Sequence, residues 1–283
     1  MTVTDYFQPR SLPEALDLLG THGPELLVMA GGTVAMPLIN EGISLPRQVL
    51  GLRHAGLDRL ERVGDELRIG ATATLSSLAA QDDVPLLREA ARRTASWAVR
   101  NMGTVGGNLF TPPPGGDVAT ALLALDARVV LAGRRGERSV PLAGFFTGFL
   151  TTELGPDELV AEVVVPLGAA RTAFRKFGRK AANTPAVVTV ATVATLDGGV
   201  VREVRIALGA AGPHPFRAVA AEQAIVGRAL DDAAITAAAD AAVEACDPLT
   251  DAVASAWYRR RMVRLFVRRA LEDLARPASG REA

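Results

Sequence analysis

Two short glycine-rich segments hold the residue types in this sequence that can do chemistry. Residues 30–33 read AGGT after a short apolar run, and residues 104–108 read TVGGN. Backbone N–H groups meet the negative charge of a phosphate only where the chain approaches it closely, and glycine has no Cβ to obstruct that approach. Thr33, Thr104 and Asn108 can add side-chain donors. Together the two segments predict a binding site for a diphosphate group.

Neither segment is a standard phosphate-binding motif. No lysine stands where a Walker A loop needs one, and neither segment matches the G-x-G-x-x-G fingerprint of dinucleotide-binding βαβ units. The sequence therefore does not support nucleoside triphosphate hydrolysis or an ordinary Rossmann site. A pair of glycines is also typical of a tight turn between two elements, and the residues alone leave that alternative open.

Helices and strands must position these segments, and their pattern changes near residue 170. Before it, caps and hydrophobic periodicity predict strands at 26–30, 67–71, 128–131 and 160–165, and helices at 11–23, 85–98 and 117–127. After it, they predict strands at 173–177, 186–195 and 200–208, and then helices at 215–226, 231–246 and 255–275. Strands followed by helices favour a separate α+β domain. We therefore divide the chain into residues 1–170, residues 171–277 and a tail, 278–283.

The composition excludes several other classes of protein. Lys and Arg together number 31, as do Asp and Glu, so the charge balance gives no reason to expect nucleic acid or a membrane surface as a partner. The single cysteine, Cys246, cannot by itself form a disulfide or hold an iron–sulfur cluster, and its setting favours a small apolar residue on a helix. No secretory signal and no membrane-spanning stretch is visible, which predicts a cytoplasmic protein. Any redox role would need an organic cofactor or a partner.

The last predicted helix is rich in arginine: Arg259, Arg260, Arg261, Arg264, Arg268 and Arg269. These side chains can form a surface for an anionic partner. They can equally form the solvated face of an amphipathic helix whose Met262, Leu265 and Phe266 turn inward.

Residues 100–109 (RNMGTVGGNL), followed by Gly116-Asp117 and by residues 121–127 (ALLALDA), carry a family resemblance. With the loop at residues 30–37 and the segment at 174–179 (FRKFGR), they are similar to the FAD-binding (medium) subunits of the molybdenum hydroxylases. That family includes the flavoprotein subunits of carbon monoxide dehydrogenase and of xanthine dehydrogenase-type enzymes. The resemblance covers nearly the whole chain, and the two glycine motifs occur in the family's order.

The resemblance implies an α+β fold and a set of cofactor contacts. Residues 1–170 would have the FAD-binding fold of the vanillyl-alcohol oxidase and p-cresol methylhydroxylase type, with two α+β subdomains. Residues 171–277 would form a smaller α+β domain with a three-stranded sheet and helices. The residues expected to bind FAD are Val28, Met29, Ala30, Gly31, Gly32, Thr33, Val34, Ala35, Thr94, Thr104, Val105, Gly106, Gly107, Asn108, Asp117, Val160 and Lys176.

Two charged residues of this set have alternative interpretations. Asp117 matches a family position that binds FAD, and it can also be the N-cap of a helix after Gly116. Lys176 resembles a lysine near the flavin ring, where a cation would favour the reduced, anionic flavin. It can also be an exposed strand lysine, or the match can fall on Arg175.

The sequence departs from the family at several positions. Val34 and Ala35 follow the first glycines where many members have His or Asp, and Asn183-Thr184-Pro185 stands where many have Asp-Tyr near the ring. Residues 111–114 also lack the usual His-Ala-Asp-Pro character. Because no histidine falls on either glycine motif, we expect FAD to be bound non-covalently. Because these departures alter the expected surroundings of the flavin ring, the sequence does not predict which molecule accepts the electrons.

By resemblance, this chain is an electron-transfer subunit whose partners do the substrate chemistry. A large subunit with molybdopterin would hydroxylate the substrate, and a small subunit with [2Fe–2S] clusters would carry electrons to this FAD. A dimer of such heterotrimers is possible. The alternatives are a stand-alone FAD-dependent oxidoreductase of the same fold and a non-enzymatic binding module that uses the glycine loops as turns. The substrate cannot be read from this chain, since its pocket would lie on another polypeptide.

Overall fold

The N-terminal part of the chain forms a small parallel sheet next to one helix. The computed structural model describes residues 3–111, 116–168 and 170–276. The first sheet has the order β1-β3-β2 and contains β1 (Asp5–Phe7), β2 (Leu26–Met29) and β3 (Gln48–Gly51). α1 (Leu12–His22) joins β1 to β2 and begins where predicted, because the Ser11 hydroxyl accepts a hydrogen bond from the Glu14 N–H. α2 (Ala35–Asn40) leads from β2 toward β3, and 3₁₀ turns lie between α1 and β2 (Gly23–Glu25) and after β3 (Leu52–His54).

The predicted strand at 26–30 exists but is not buried along its length. Within β2 only Leu26 is buried, and Val28 is 38% exposed. The end of β2 borders a cavity rather than a packed core, which is why an apolar run there stays accessible.

The second sheet is antiparallel and has the order β4-β5-β10-β6-β7. Its strands are β4 (Leu60–Val63), β5 (Glu66–Gly70), β6 (Arg128–Gly133), β7 (Gly136–Pro141) and β10 (Glu158–Pro166). The helices around it are α3 (Leu75–Ala80), α4 (Pro85–Arg93), α5 (Trp97–Arg100), α6 (Val105–Leu109), α7 (Asp117–Ala124) and α8 (Leu142–Phe145). A small hairpin of β8 (Phe146–Gly148) and β9 (Thr151–Thr152) follows α8.

The predicted single helix over residues 85–98 is wrong. α4 ends at Arg93, and Ala95 adopts a left-handed backbone with φ of 52° before α5 begins. The Arg100 guanidinium stabilises this break by donating to the carbonyl oxygens of Arg92, Thr94 and Ala95. The break thus occurs within a sequence of good helix propensity, and local hydrogen bonds from one arginine accompany it.

The C-terminal sheet has four antiparallel strands, one more than predicted. They are β11 (Arg171–Gly178), β12 (Ala186–Asp197), β13 (Val200–Gly209) and the short β14 (Phe216–Arg217). The helices after it are α9 (Val219–Gln223), α10 (Asp232–Glu244) and α11 (Ala256–Ala275). The predicted helix at 215–226 therefore starts as a strand, because residues 216–217 pair with Ala207 and Leu208 of β13.

The two faces of the C-terminal sheet contact different partners. Phe174, Ala191 and Val193 belong to one apolar core with the helices and strands of the second sheet. The opposite face packs on α10 and α11 through residues such as Val190 and Ile206. The core is therefore continuous across residue 170.

Helix α11 departs from its predicted pattern at two positions. Arg259 is 1% exposed, and Leu265, predicted to turn inward, is 36% exposed. On the outer face, Arg264 and Arg268 are neutralised by ion pairs with Asp240 and Asp232 of α10. Among the helices of the described residues, none combines the length and the apolarity needed to cross a membrane.

Cys246 behaves as the small apolar residue expected, although it lies just after α10 and not on it. It is 4% exposed, and burial raises the pKa of its thiol to about 12. The thiol is therefore protonated and unreactive at neutral pH.

Candidate functional site

The two glycine-rich segments meet at one cavity of about 390 Å³. It lies beyond the carboxyl ends of the parallel strands β2 and β3, a place where α/β sheets commonly bind ligands. All of its lining residues are uncharged: Leu27, Val28, Met29, Ala30, Gly31, Gly32, Thr33, Val34, Ala35, Leu38, Ser44, Leu52, Ala71, Leu75, Gly103, Thr104, Gly106, Gly107, Asn108, Phe110, Thr111, Leu159 and Val160.

The first glycine loop packs directly on the approach to the second. A Cβ added at Gly31 would lie 1.9 Å from the carbonyl oxygen of Met102, and one at Gly103 would lie 3.4 Å from the Thr33 hydroxyl oxygen. Residue 31 must therefore be glycine because the backbone of Met102 lies against it. This contact places two segments that are 71 positions apart in one wall of the cavity.

The first loop presents a row of free backbone donors. Within the described residues, the N–H groups of Gly31, Gly32, Thr33, Val34 and Ala35 donate no hydrogen bond. Gly32 has φ of 71°, a left-handed conformation that turns successive N–H groups toward one side and that glycine adopts without strain. Since the lining holds no cation, these N–H groups are the main positive charge available to a bound anion.

The second loop uses its own donors to hold its shape. The N–H groups of Val105 and Gly106 donate to the carbonyl oxygens of Ala73 and Ala71. The Gly107 N–H donates to the Thr104 hydroxyl at 3.1 Å, so Thr104 caps α6 as an acceptor. This loop therefore supplies a close wall and few backbone donors, in contrast to the equal role expected from its sequence.

The glycines of the second loop have separate functions. A Cβ at Gly106 would lie 2.7 Å from the carbonyl oxygen of Ala71, so Gly106 is needed for packing against the protein. A Cβ at Gly107 would meet only the Thr104 hydroxyl oxygen, at 2.9 Å. Gly107 otherwise faces open space in the cavity wall, which leaves it close to any bound molecule.

Asn108 contributes a side-chain donor. Its Oδ1 accepts a hydrogen bond from the Ala119 N–H at 3.1 Å, which fixes the orientation of the amide. The amide nitrogen, Nδ2, donates no hydrogen bond to any residue that the structure describes. The orientation of the amide is thus fixed, and among the described residues its two hydrogens have no acceptor.

Four of the predicted contacts lie outside the cavity lining: Thr94, Val105, Asp117 and Lys176. Val105 is fully buried, and the Thr94 hydroxyl donates to the carbonyl oxygen of Ala90. The other thirteen predicted residues all line the cavity. Their role in binding FAD stays a prediction, and both loops and Val160 are among the residues that the structure brings together at this cavity.

Asp117 and Lys176 form a buried ion pair with each other. Lys176 Nζ lies 2.6 Å from Asp117 Oδ2, and the two side chains are 8% and 7% exposed. Lys176 also donates to the carbonyl oxygen of Arg93, and Asp117 Oδ1 accepts from the Thr189 hydroxyl at 2.6 Å. The alternatives of an exposed lysine and of an Asp117 N-cap are both wrong, since Gly116 holds the N-cap position of α7.

Ten lining residues were not predicted, and six of them lie within three positions of a predicted residue, whereas Ser44, Leu52, Ala71 and Leu75 come from other segments. Gly103 and Thr111 flank the second motif, and their position beside it was a usable signal. Leu159 adjoins the predicted Val160 within β10, whereas Leu52 directly follows β3 and has no local signal in the sequence.

The lining fits a flavin nucleotide. A row of free N–H groups and the Asn108 amide suit a diphosphate, and walls such as Leu38, Leu52 and Leu159 suit the apolar faces of attached ring systems. An uncharged, largely apolar wall strengthens each N–H contact with a bound anion, because the local dielectric is lower than in water.

Sequence and structure comparisons agree with this site. Residues 2–168 match the FAD binding domain in molybdopterin dehydrogenase, and residues 172–274 match the CO dehydrogenase flavoprotein C-terminal domain. The chain is 35% identical over 274 residues to the carbon monoxide dehydrogenase medium chain of Hydrogenophaga pseudoflava, covering 94% of this chain and 95% of that protein. It is 31% identical over 278 residues to the glyceraldehyde dehydrogenase medium chain of Sulfolobus acidocaldarius, covering 95% and 98%.

The fold is shared with a solved structure as well. Carbon monoxide dehydrogenase from Hydrogenophaga pseudoflava superposes with a TM-score of 0.93 at 35% identity, over 96% of this chain and 97% of that chain. The predicted family, the two-part α+β fold and FAD as the cofactor are confirmed, and the stand-alone oxidoreductase is not supported. The chain belongs to the family of FAD-binding medium subunits of the molybdenum hydroxylases.

Proposed function

We propose that this chain holds FAD in a molybdenum hydroxylase and passes electrons from a small [2Fe–2S] subunit to an external acceptor. A large molybdopterin-binding subunit would oxidise the organic substrate. The observation that carries this proposal is that the two glycine loops meet at one cavity with an uncharged lining, where five N–H groups have no acceptor within the described part of the chain. The match of both parts of the chain to flavoprotein families supports it.

The backbone of the first loop would bind the FAD diphosphate. Residues 28–35 line the cavity, and the free N–H groups of residues 31–35 are the donors for the phosphate oxygens. Because Gly107 has no side chain, the second glycine loop would approach the diphosphate closely. The Asn108 amide would donate a hydrogen bond to the diphosphate or to a hydroxyl group of FAD. FAD, when bound, supplies the redox chemistry, and this chain positions it and excludes water.

Thr94, Val105, Asp117 and Lys176 belong to this proposed site as a layer next to the lining. The Thr94 and Lys176 segments meet at the end of α4, and Val105 is a buried residue of the second loop at the start of α6. They would support the residues that touch the cofactor.

The remaining parts of the proposal concern assembly. Relatives carry names such as medium chain and complex subunit, which supports a multi-subunit assembly with large and small partners. We extend this to a dimer of heterotrimers in the cytoplasm, and to a division of the chain into an FAD-binding part, residues 1–170, and a C-terminal part, residues 171–277.

Expression of the full chain alone and with its two partner subunits tests the proposal. We expect the chain purified by gel filtration to be yellow, with about one FAD released per chain on denaturation. We expect the co-expressed preparation to contain iron and molybdenum as well, and to bleach the flavin absorbance when a substrate of the complex is added. A colourless chain that does not take up added FAD would refute the proposal.

A further inference from the structure

Two methionine side chains lie against the left-handed glycine of the first loop. A Cβ added at Gly32 would lie 3.3 Å from the Met29 sulfur atom and 3.4 Å from Cγ of Met36. Met29 is the last residue of β2 and lines the cavity, whereas Met36 lies on α2 outside the lining and is 42% exposed. One thioether sulfur therefore lies beside the backbone that carries the N–H donors, where small solutes in the cavity can reach it.

A thioether in such a place can be oxidised by hydrogen peroxide. The O–O bond of the peroxide breaks, one oxygen atom bonds to the sulfur, and the other oxygen leaves as water. The sulfur loses two electrons and the peroxide gains them. The sulfoxide that results is polar and carries a hydrogen-bond acceptor, whereas the original side chain is apolar.

At Met29 the new oxygen atom would compete with a bound anion. The N–H groups of residues 31–35 have no acceptor within the described part of the chain. A sulfoxide oxygen next to Gly32 can accept from this row of donors, and it also places a polar group among apolar lining residues such as Leu27 and Leu52. Both effects oppose the binding of a diphosphate with attached ring systems.

We propose that Met29 is an oxidation-sensitive site of the FAD cavity and that its sulfoxide weakens FAD binding. This proposal rests on the proposed function, since it takes FAD as the occupant of the cavity. FAD, when bound, would cover the Met29 sulfur, because a ligand that fills such a cavity excludes other solutes from its lining. Oxidation would therefore fall mainly on the chain that has not bound FAD.

The other sulfur atoms of the described residues have different surroundings. Met102 is 39% exposed, and its sulfur lies 3.5 Å from Nη1 of Arg53. Met262 packs against the core under α10 and α11. Cys246 is buried with a protonated thiol, which reacts slowly with peroxide. Of the described sulfur atoms, only that of Met29 belongs to a residue of the cavity lining.

Peroxide treatment of the full-length apo chain tests the proposal. Wild type, M29L and M36L are treated with hydrogen peroxide, which catalase then removes, and the FAD dissociation constant is measured by quenching of flavin fluorescence before and after. We expect it to rise at least about tenfold for wild type and for the matched control M36L, and to change less than about twofold for M29L. An M29L chain that loses as much affinity as wild type would overturn the proposal, as would wild type that carries Met29 sulfoxide and keeps its affinity.

A protection experiment needs no substitution and decides the matter if M29L binds no FAD before treatment. Wild type is oxidised in the dark with and without saturating FAD, and peptide mass spectrometry measures the sulfoxide at each methionine. We expect FAD to slow oxidation of Met29 at least about fivefold and to leave Met36 and Met102 unaffected, because bound FAD covers only the lining. Equal rates at Met29 with and without FAD would overturn the proposal. An untreated wild-type chain that binds no FAD would refute the proposed function itself, whereas a chain that binds FAD and is insensitive to oxidation of Met29 refutes only this inference.

Discussion

Gly31 and Gly107 belong to similar motifs but have different physical functions. A side chain at Gly31 would collide with the backbone of Met102, whereas Gly107 faces the cavity and touches only the Thr104 hydroxyl. Substitution at Gly31 should therefore damage the protein, and substitution at Gly107 should mainly damage the binding site.

We expect Gly107→Val to weaken FAD binding by at least about tenfold, because the added methyl groups fill the space that the cofactor needs. The measurement is the FAD to protein ratio after gel filtration, together with the FAD dissociation constant of the apo chain. Retention of FAD at the wild-type ratio would remove Gly107 from the site.

Gly31→Ala and Gly144→Ala are the matched comparisons for this variant. Gly31→Ala should lower the free energy of unfolding of the apo chain by about 1–3 kcal/mol, since backbone must move to admit the Cβ. Gly144 has no heavy atom within 4 Å of an added Cβ, so its substitution should change neither stability nor binding.

At the scale of elements, the arginines of α11 divide into one buried anchor and several surface residues. Arg259 donates to Ala186, Val187 and Ala210 carbonyl oxygens and pairs with both carboxylate oxygens of Asp251 at 2.9 Å. It thereby ties the helix to the start of β12 and to the turn after β13. Arg264 instead forms an exposed pair with Asp240.

We expect Arg259→Met to lower the free energy of unfolding by about 3–5 kcal/mol, because it leaves a carboxylate and three carbonyl groups without their partner. Arg264→Met, on the same helix, should cost less than about 1 kcal/mol, since an exposed ion pair contributes little. Urea unfolding followed by circular dichroism measures both. Equal losses for the two variants would show that the buried network does not anchor the helix.

At the scale of the whole molecule, the C-terminal sheet is shared between two cores. One face completes the core of the FAD-binding part through Phe174, Ala191 and Val193, and the other face packs on α10 and α11. The two parts of the chain are therefore joined by buried apolar surface and by the Lys176–Asp117 pair, and not only by a linker.

This arrangement predicts that the full chain unfolds as one cooperative unit across residue 170. Calorimetry should give one main endotherm, and hydrogen exchange in β10 and β12 should report the same free energy of unfolding at rising denaturant. Two separate endotherms, with β12 exchanging independently of β10, would contradict it.

The motifs along the chain were enough to identify the class of ligand and the family. Where the backbone must lie directly against another group, only glycine avoids a clash, because it has no Cβ. Paired glycines in a sequence therefore indicate such a position without a structure. Most of the predicted helices and strands were found where their caps and hydrophobic periods stood, although short elements such as β1, β3, α2 and α3 were not predicted. The wrong helix predictions at residues 85–98 and 215–226 concern segments where side-chain hydrogen bonds to the backbone or strand pairing outweighed helix propensity.

Only the tertiary structure decided which groups of the site are free and which are engaged. In the second loop, backbone N–H groups donate to the carbonyl oxygens of Ala71 and Ala73, more than thirty positions earlier in the chain. In the first loop, the N–H groups of residues 31–35 have no acceptor among the described residues. Lys176 and Arg259 look like surface cations in the sequence, yet each is buried against an acidic partner that the fold supplies. Hydrogen-bond satisfaction and burial depend on atoms from distant segments, and no local pattern of residues carries that information.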